Sequence, residues 1–357
     1  MIQVGPVQLE DDSEKVVDAD EEIFLLYTAL QAHPLSGDAH HGLGFLDSHH
    51  DTISVAIELD DPRPGDNGPR PIGASVSTHG KHPSHRNSRH APHARKAPKS
   101  TAPETVQVEL YQDKTRLHTA KGDTGSVLWR ASIDFAKMML RQHHSPNSAS
   151  IFDKRLLPDL RVLELGAGTG LLSVLLAPLV KHYMATDIPG LTHLISKNVA
   201  HNLTDNDTRN NVAVEALDWE QLHQTSPERR RRFFTYAGGP GASEARPYSG
   251  KDATNDAPDV ILAVDCLYHP SLVGPLVSTL NHFARPNETV VVIVSELRAE
   301  DVMRDFLEAW LGDAARWEIW RAGDGADGPG LLGVPYVIWV GRKVSASAPE
   351  RDGSGQA

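Results

Sequence analysis

The sequence predicts a doubly wound α/β fold: a largely parallel sheet with helices on both faces, closed by an antiparallel hairpin at one edge. Three observations carry that prediction. Short apolar runs alternate with segments of helical periodicity from about residue 104 to about residue 342. The run RVLEL, at 161–165, passes into the glycine-rich turn GAGTG and then into leucines at helical spacing, as the first strand–helix connection of an open sheet does. Two final apolar stretches, WEIWRA and YVIWVG, have no long helix between them, and this implies the hairpin.

The elements follow in order. DEEIFLLYTAL sets Ile23, Leu26 and Leu30 on one helical face, and DTISVAIEL alternates like a strand, so residues 1–60 form a small N-terminal helix and strand element. Residues 61–103 are rich in Pro, Ser, Gly, His and Arg without apolar periodicity, and they read as a disordered basic insert. Residues 61–100 hold eight Lys/Arg and two Asp. Five histidines there are irregularly spaced and no cysteine joins them, so no metal site is expected.

After the insert VQVEL reads as a strand. SVLWRASIDFAKMMLRQH places Leu128, Ala131, Phe135, Met138 and Met139 on one face of an amphipathic helix. Strands RVLEL, HYMAT, VAVEAL, DVILAV and TVVVIVSEL then alternate with helices from about Leu171 and across LTHLISKNVAHNL, LVGPLVSTLNHF and AEDVMRDFLEAW. Residues 104–342 thus make the main domain, with an irregular surface insertion at 221–258 and a disordered tail at 343–357. Within the insertion the arginines at 229–232 read first as a solvated, partly helical charge run, and second as a nuclear signal or an RNA contact.

Composition excludes several classes. No run of about 18 apolar residues exists, and MIQVGPVQLEDDSEK has neither the basic start nor the apolar core of a signal peptide, so a cytoplasmic protein without membrane contact is expected. Cys266 is the only cysteine; disulfides within the chain are impossible and a thiolate zinc site is not expected. The net charge is −12, which leaves −18 outside the basic block. Such a body suits a basic protein partner better than duplex DNA.

The turn LELGAGTG raises the question of its ligand. A dinucleotide fingerprint needs glycine at position 171, where this chain has Leu171. G-x-G-x-G preceded by Glu164 instead suits a ligand without a pyrophosphate, and the carboxylate can attract a cationic amino group such as that of S-adenosylmethionine. Asp187, at the tip of HYMATD, can accept both hydroxyls of a ribose, an arrangement that serves nicotinamide cofactors equally. Asp218 and Trp219, in EALDWE, offer an acceptor and an aromatic wall to an adenine; alternatively Trp219 roofs the core.

Together TGSVLW, LELGAGTG, ATDI, ALDWE and DCLY resemble the seven-β-strand protein-lysine methyltransferases of methyltransferase family 16, over residues from about 122 to 340. Within that family TGSVLW, ALDWE, DCLYHPSLVGPLVSTL and LRAEDVMRDFLEA are most similar to the fungal ribosomal lysine methyltransferase 5 group. The resemblance implies a Rossmann-like, seven-stranded sheet and S-adenosylmethionine as methyl donor. It implies that Trp129 borders the cofactor, that Gly166 and Gly168, with Ala167 between them, contact its methionine part, and that Asp187 binds the ribose. Trp219 lies by the adenine, and Val264 lines the same pocket. The family's D/E-x-x-Y/F motif falls on Asp265 and Tyr268 as the catalytic pair. A large-subunit ribosomal protein is the implied substrate and elongation factor 1A the runner-up, acted on by a monomer. The two basic insertions depart from a minimal member of the family.

The chemistry of the motif agrees. Methyl transfer from a sulfonium is an in-line displacement, so the site must align a neutral amine with the methyl group. A carboxylate can receive the incoming ammonium and an aromatic ring can host the cationic product. Two other classes remain: a catalytically silent module that binds ribosomes or a chaperone, and a methyltransferase of small molecules or nucleic acid. For an amino methylase of nucleic acid an N-P-P-Y-type motif is expected where this chain has DCLY.

Overall fold

The computed structural model describes residues 1–32, 50–59, 104–113, 125–145, 150–205, 210–233, 257–323, 332–333 and 335–345. The basic insert expected at 61–103, the tail from 346 and most of the second insertion lie outside them.

Three short strands open the chain, β1 (Ile2–Val4), β2 (Val7–Leu9) and β3 (Glu14–Val16), followed by helix α1 (Ala19–Ala32). Strands β4 (Thr52–Glu58) and β5 (Thr105–Tyr111) come next, then α2 (Arg130–His144), which begins only after Trp129, four residues into its periodic stretch. The alternating part comprises β6 (Arg161–Leu165), α3 (Leu171–Leu176), β7 (His182–Asp187), α4 (Thr192–Asn202) and β8 (Val212–Ala216). Two short helices, α5 (Trp219–Gln224) and α6 (Pro227–Phe233), occupy the start of the stretch expected to be irregular. The chain closes with β9 (Val260–Val264), α7 (Val273–Phe283), β10 (Val290–Glu296), α8 (Glu300–Leu311), β11 (Trp317–Arg321) and β12 (Tyr336–Lys343).

The main sheet runs β3-β11-β12-β10-β9-β6-β7-β8. From β10 to β8 every pairing is parallel, and β10–β12, β12–β11 and β11–β3 are antiparallel. The doubly wound fold and its closing hairpin are therefore present. The strand count of seven needs correcting to eight, because β3 extends the hairpin edge: Val16 pairs with Ile319, and Lys15 Nζ reaches Glu318 Oε1 at 2.9 Å. An open edge strand presents unpaired N–H and C=O groups, and β3 covers those of β11.

Burial explains why the central strands read as nearly unbroken apolar runs. A strand covered on both faces has no polar side to show. On β10 Val290, Val292 and Val294 enter the core beneath α2, α3 and α4, while Val291 and Ile293 enter the opposite core with α1, α7 and α8. The β4–β5 pair forms a separate two-stranded sheet whose Ile53, Val55, Ile57, Val108 and Leu110 join the first core. Asn198 of α4 fastens it. Its Oδ1 accepts from Tyr111 N–H at 2.8 Å, and its Nδ2 donates to Tyr111 O and to Thr169 O in the glycine turn. Among the described residues no helix is long and apolar enough to cross a membrane.

Candidate active site

All parallel strands end on one side, and the loops after them surround a cavity of about 770 Å³. Ligands of open α/β sheets bind at this edge, where the strand order reverses between β6 and β9. The cavity brings together Trp129, Gly166, Ala167, Gly168, Asp187, Asp218, Trp219, Val264, Asp265 and Tyr268, which is every expected site residue except Glu164.

The turn after β6 is shaped by backbone that side chains rarely tolerate. Gly166, Gly168 and Gly170 have φ of 69°, 58° and 79°. A Cβ on Gly166 would stand 2.8 Å from Cys266 Sγ, and one on Gly168 would stand 3.0 Å from Gly125 O. Both positions therefore need glycine for space as well as for conformation. Asp187 holds the turn from β7: its Oδ2 accepts from Gly168 N–H at 2.8 Å, and its Oδ1 accepts from Ile188 N–H at 2.7 Å.

Glu164 lies elsewhere. It is 3% exposed, beneath the turn, and its Oε2 has no hydrogen-bond partner. Strand alternation sends it to the same face as Val162, into the core instead of the cavity mouth. Burial pushes its carboxyl up to about 8, opposed by the neighbouring Tyr183 hydroxyl and aided by the charge of Asp187.

Asp218 and Trp219 stand at the start of α5. Asp218 caps that helix, Oδ1 accepting from Gln221 N–H at 3.0 Å, so one of its oxygens already has a structural partner. The Trp219 ring reaches within 3.5 Å of the Cβ position of Gly166, and its Nε1 has no hydrogen-bond partner.

Beyond β9 the backbone turns sharply. Asp265 adopts φ 58°, a left-handed conformation in which aspartate is among the less disfavoured residues. Its N–H donates to Val294 O at 2.7 Å and its carboxylate pairs with Arg298, whose guanidinium also lies 5.0 Å from the centroid of the Trp129 ring. Tyr268 is 40% exposed at the rim.

Residue patterns in the sequence did not single out several members of the site. Gly125 packs flat against the turn, its Cβ position 3.5 Å from Gly168 Cα and 3.7 Å from Asp187 Oδ2; its place in TGSVLW was the available signal. His269 and Ser271 line the cavity, with His269 Nδ1 accepting from Ser271 N–H at 3.2 Å. Arg298 stands in LRAEDVMRDFLEA, one of the segments that carry the resemblance, but no residue pattern gave it a role.

A model of the lysine methyltransferase family matches residues 112–232 and 249–311. The chain is 33% identical over 203 residues to a diaminohydroxyphosphoribosylamino-pyrimidine deaminase of Schizosaccharomyces pombe, across 56% of this chain and 41% of that protein. It is 28% identical over 211 residues to a ribosomal lysine N-methyltransferase 5 of Zygosaccharomyces rouxii, across 53% of this chain and 64% of that one. The protein of the same name from Lachancea thermotolerans matches at 25% over 308 residues, 82% of this chain and 89% of the relative. The chain thus spans less than two thirds of the first two relatives.

Proposed function

The chain belongs to the lysine methyltransferase family, and from that membership we propose that it methylates a lysine of a basic protein with S-adenosylmethionine as donor. A ribosomal protein is the first candidate substrate, supported by the relatives named for ribosomal lysine methylation, and the sequence resemblance points to the large subunit. One observation carries the reading: a glycine turn clamped by Asp187 and the Asp265–Tyr268 motif open onto the same cavity.

The residues suit the donor. Bare backbone at Gly166 and Gly168 admits close approach, since any Cβ would meet Cys266 or Gly125. Asp187 would accept the ribose hydroxyls, and Trp219 with Val264 would wall the adenine. Bound there, S-adenosylmethionine supplies a methyl group activated by a sulfonium. The chain's own residues then have two tasks. Asp265 and Tyr268 orient the amine for in-line attack, and Tyr268 offers a ring face to the cationic product. Glu164, buried below the turn, supports the site from beneath and does not form its wall.

The deaminase named among the relatives is matched over 41% of its length. Nucleobase deaminases that use zinc draw two or three cysteines as ligands. This chain has one, Cys266, buried against Leu165 O, so its residues favour methyl transfer over deamination.

The test is transfer of label from S-adenosylmethionine into an extract of cells lacking the gene, with the labelled residue identified by mass spectrometry. A labelled lysine on a large-subunit ribosomal protein supports the proposal in full. Label on elongation factor 1A moves the substrate, label confined to RNA overturns lysine methylation, and no label at all favours a silent binding module. Tyr268→Ala should lower transfer about tenfold, the scale of one lost cation–π contact, and leave donor affinity within about twofold. Equal loss of both would return Tyr268 to a structural role.

A further inference from the structure

Arg298 sits between two groups that the proposed reaction uses and belongs to neither motif. It follows β10 by two residues. Its Nη2 donates to Asp265 Oδ2, its Cζ lies over the Trp129 ring, and its Nε is 3.7 Å from Glu296 Oε2. The Asp265 side chain is 5% exposed and that of Arg298 28%, so water screens this pair less than a surface one. Among the described residues Arg298 is the cation in ion-pair contact with Asp265.

The geometry points to Arg298 as a positioning residue that offsets the charge of Asp265, so that the pocket does not hold the substrate lysine in its unreactive ammonium form. The inference rests on the lysine-methylation reading above. A bare carboxylate beside an amine favours the protonated amine. Only the neutral amine can attack the methyl group. At neutral pH about one lysine in a few thousand is neutral, and each unit of further upward shift divides that fraction by about ten. Paired with Arg298, which it shares with Glu296, Asp265 remains an oriented acceptor whose charge is partly offset.

The surrounding ionisable groups do not supply the same effect. Asp265, Asp187 of β7 and Glu164 of β6 all face the Cys266 thiol. Glu296 of β10 faces Tyr336 of β12, which also faces Asp134 and Arg130 of α2, and Tyr336 Oη donates to Asp134 Oδ2 at 2.8 Å. Tyr268 and His269 line the cavity. Among the described residues the cavity is lined by the acids Asp187, Asp218, Glu220 and Asp265 and by no lysine or arginine, so without Arg298 the amine would meet a predominantly anionic wall.

The experiment measures initial methyl transfer into desalted lysate protein of cells lacking the gene, from about pH 6.5 to about pH 10, as the ratio of variant to wild-type rate. That ratio cancels the titration of the acceptor. Arg298→Gln should run about tenfold below wild type near pH 7 and approach it near pH 10, a rising limb moved up by about one unit. Arg298→Lys should restore the wild-type limb. Asp265→Asn, which removes the anion and keeps the cation, should lower the plateau and move the limb the opposite way; it also keeps the inference testable if Arg298→Gln fails to fold. Calorimetric affinity for S-adenosylmethionine should stay within about threefold in Arg298→Gln, because a partly exposed cation–π contact to Trp129 is worth only about 0.5–1 kcal/mol. A ratio flat across pH, or a donor affinity that falls in step with rate, overturns the inference and leaves the methyltransferase reading standing. Absence of transfer by the wild-type chain overturns both.

Discussion

Asp187 shows how one side chain can serve fold and ligand together. Both of its oxygens already accept backbone N–H groups, from Gly168 and Ile188, and a carboxylate still has lone pairs for two ribose hydroxyls. Asp187→Ala should therefore cost about 1.5–3 kcal/mol of donor affinity, roughly ten- to a hundredfold by calorimetry, and loosen the turn as well. Glu164 makes a different prediction. Its carboxyl titrates near 8 in the folded chain and near 4.5 when exposed, so between those values the folded state binds the extra proton. Stability from this group is complete below about pH 4.5 and falls as pH rises towards 8. Glu164→Gln cannot titrate. Its urea midpoint, compared with wild type at each pH, should gain progressively across that window, and a constant difference would show that Glu164 does not titrate there.

At the scale of elements, one buried acid joins the β3–β11 pairing in holding the N-terminal segment to the hairpin edge. Glu22 of α1 accepts from Trp339 Nε1 of β12 at 2.8 Å and from Arg321 Nη1 of β11 at 2.9 Å. Glu22→Ala would leave both donors short of a partner and should cost about 3 kcal/mol in urea unfolding, with Glu22→Gln recovering part of it. Such long-range features were beyond a local reading. The three-residue β3 is too short to carry a period, and its partner strand lies at the other end of the sequence. By contrast β6, its glycine turn and β7 were legible, because strand burial and turn conformation are dictated within a few residues. The burial of Glu164 was not legible in the same way: an acid ending an apolar run reads as a ligand group, and only the register of the sheet shows that it turns towards the core. The pairing of Arg298 was not legible, although LRAEDVMRDFLEA was, because nothing near it in sequence names Asp265 or Trp129 as its neighbours.

At the scale of the whole molecule, the open question is what the basic segment between β4 and β5 contributes. The two strands pair antiparallel to their ends, Glu58 opposite Thr105, and Leu59 N–H donates to Glu104 O at 2.9 Å. Residues 60–103 therefore leave and return at adjacent points, and a two-residue Asn-Gly turn can bridge them without moving either strand. Loop closure over two residues instead of 44 should stabilise the folded state, by up to about 2–3 kcal/mol on the logarithmic length scale. Among the described residues, those lining the cavity begin at Gly125. Replacing 60–103 with Asn-Gly should thus raise the unfolding midpoint and leave donor affinity and methyl transfer to an isolated acceptor protein unchanged. On assembled ribosomal particles the outcome separates a tether from a guide. Residues 61–100 carry a local charge of +6, enough for several phosphate contacts whose affinity falls steeply with salt. If they contact RNA, the full chain should act on particles faster than the shortened one at low salt, and the two should converge as salt rises. Equal rates at every salt concentration would leave the segment as a tether only.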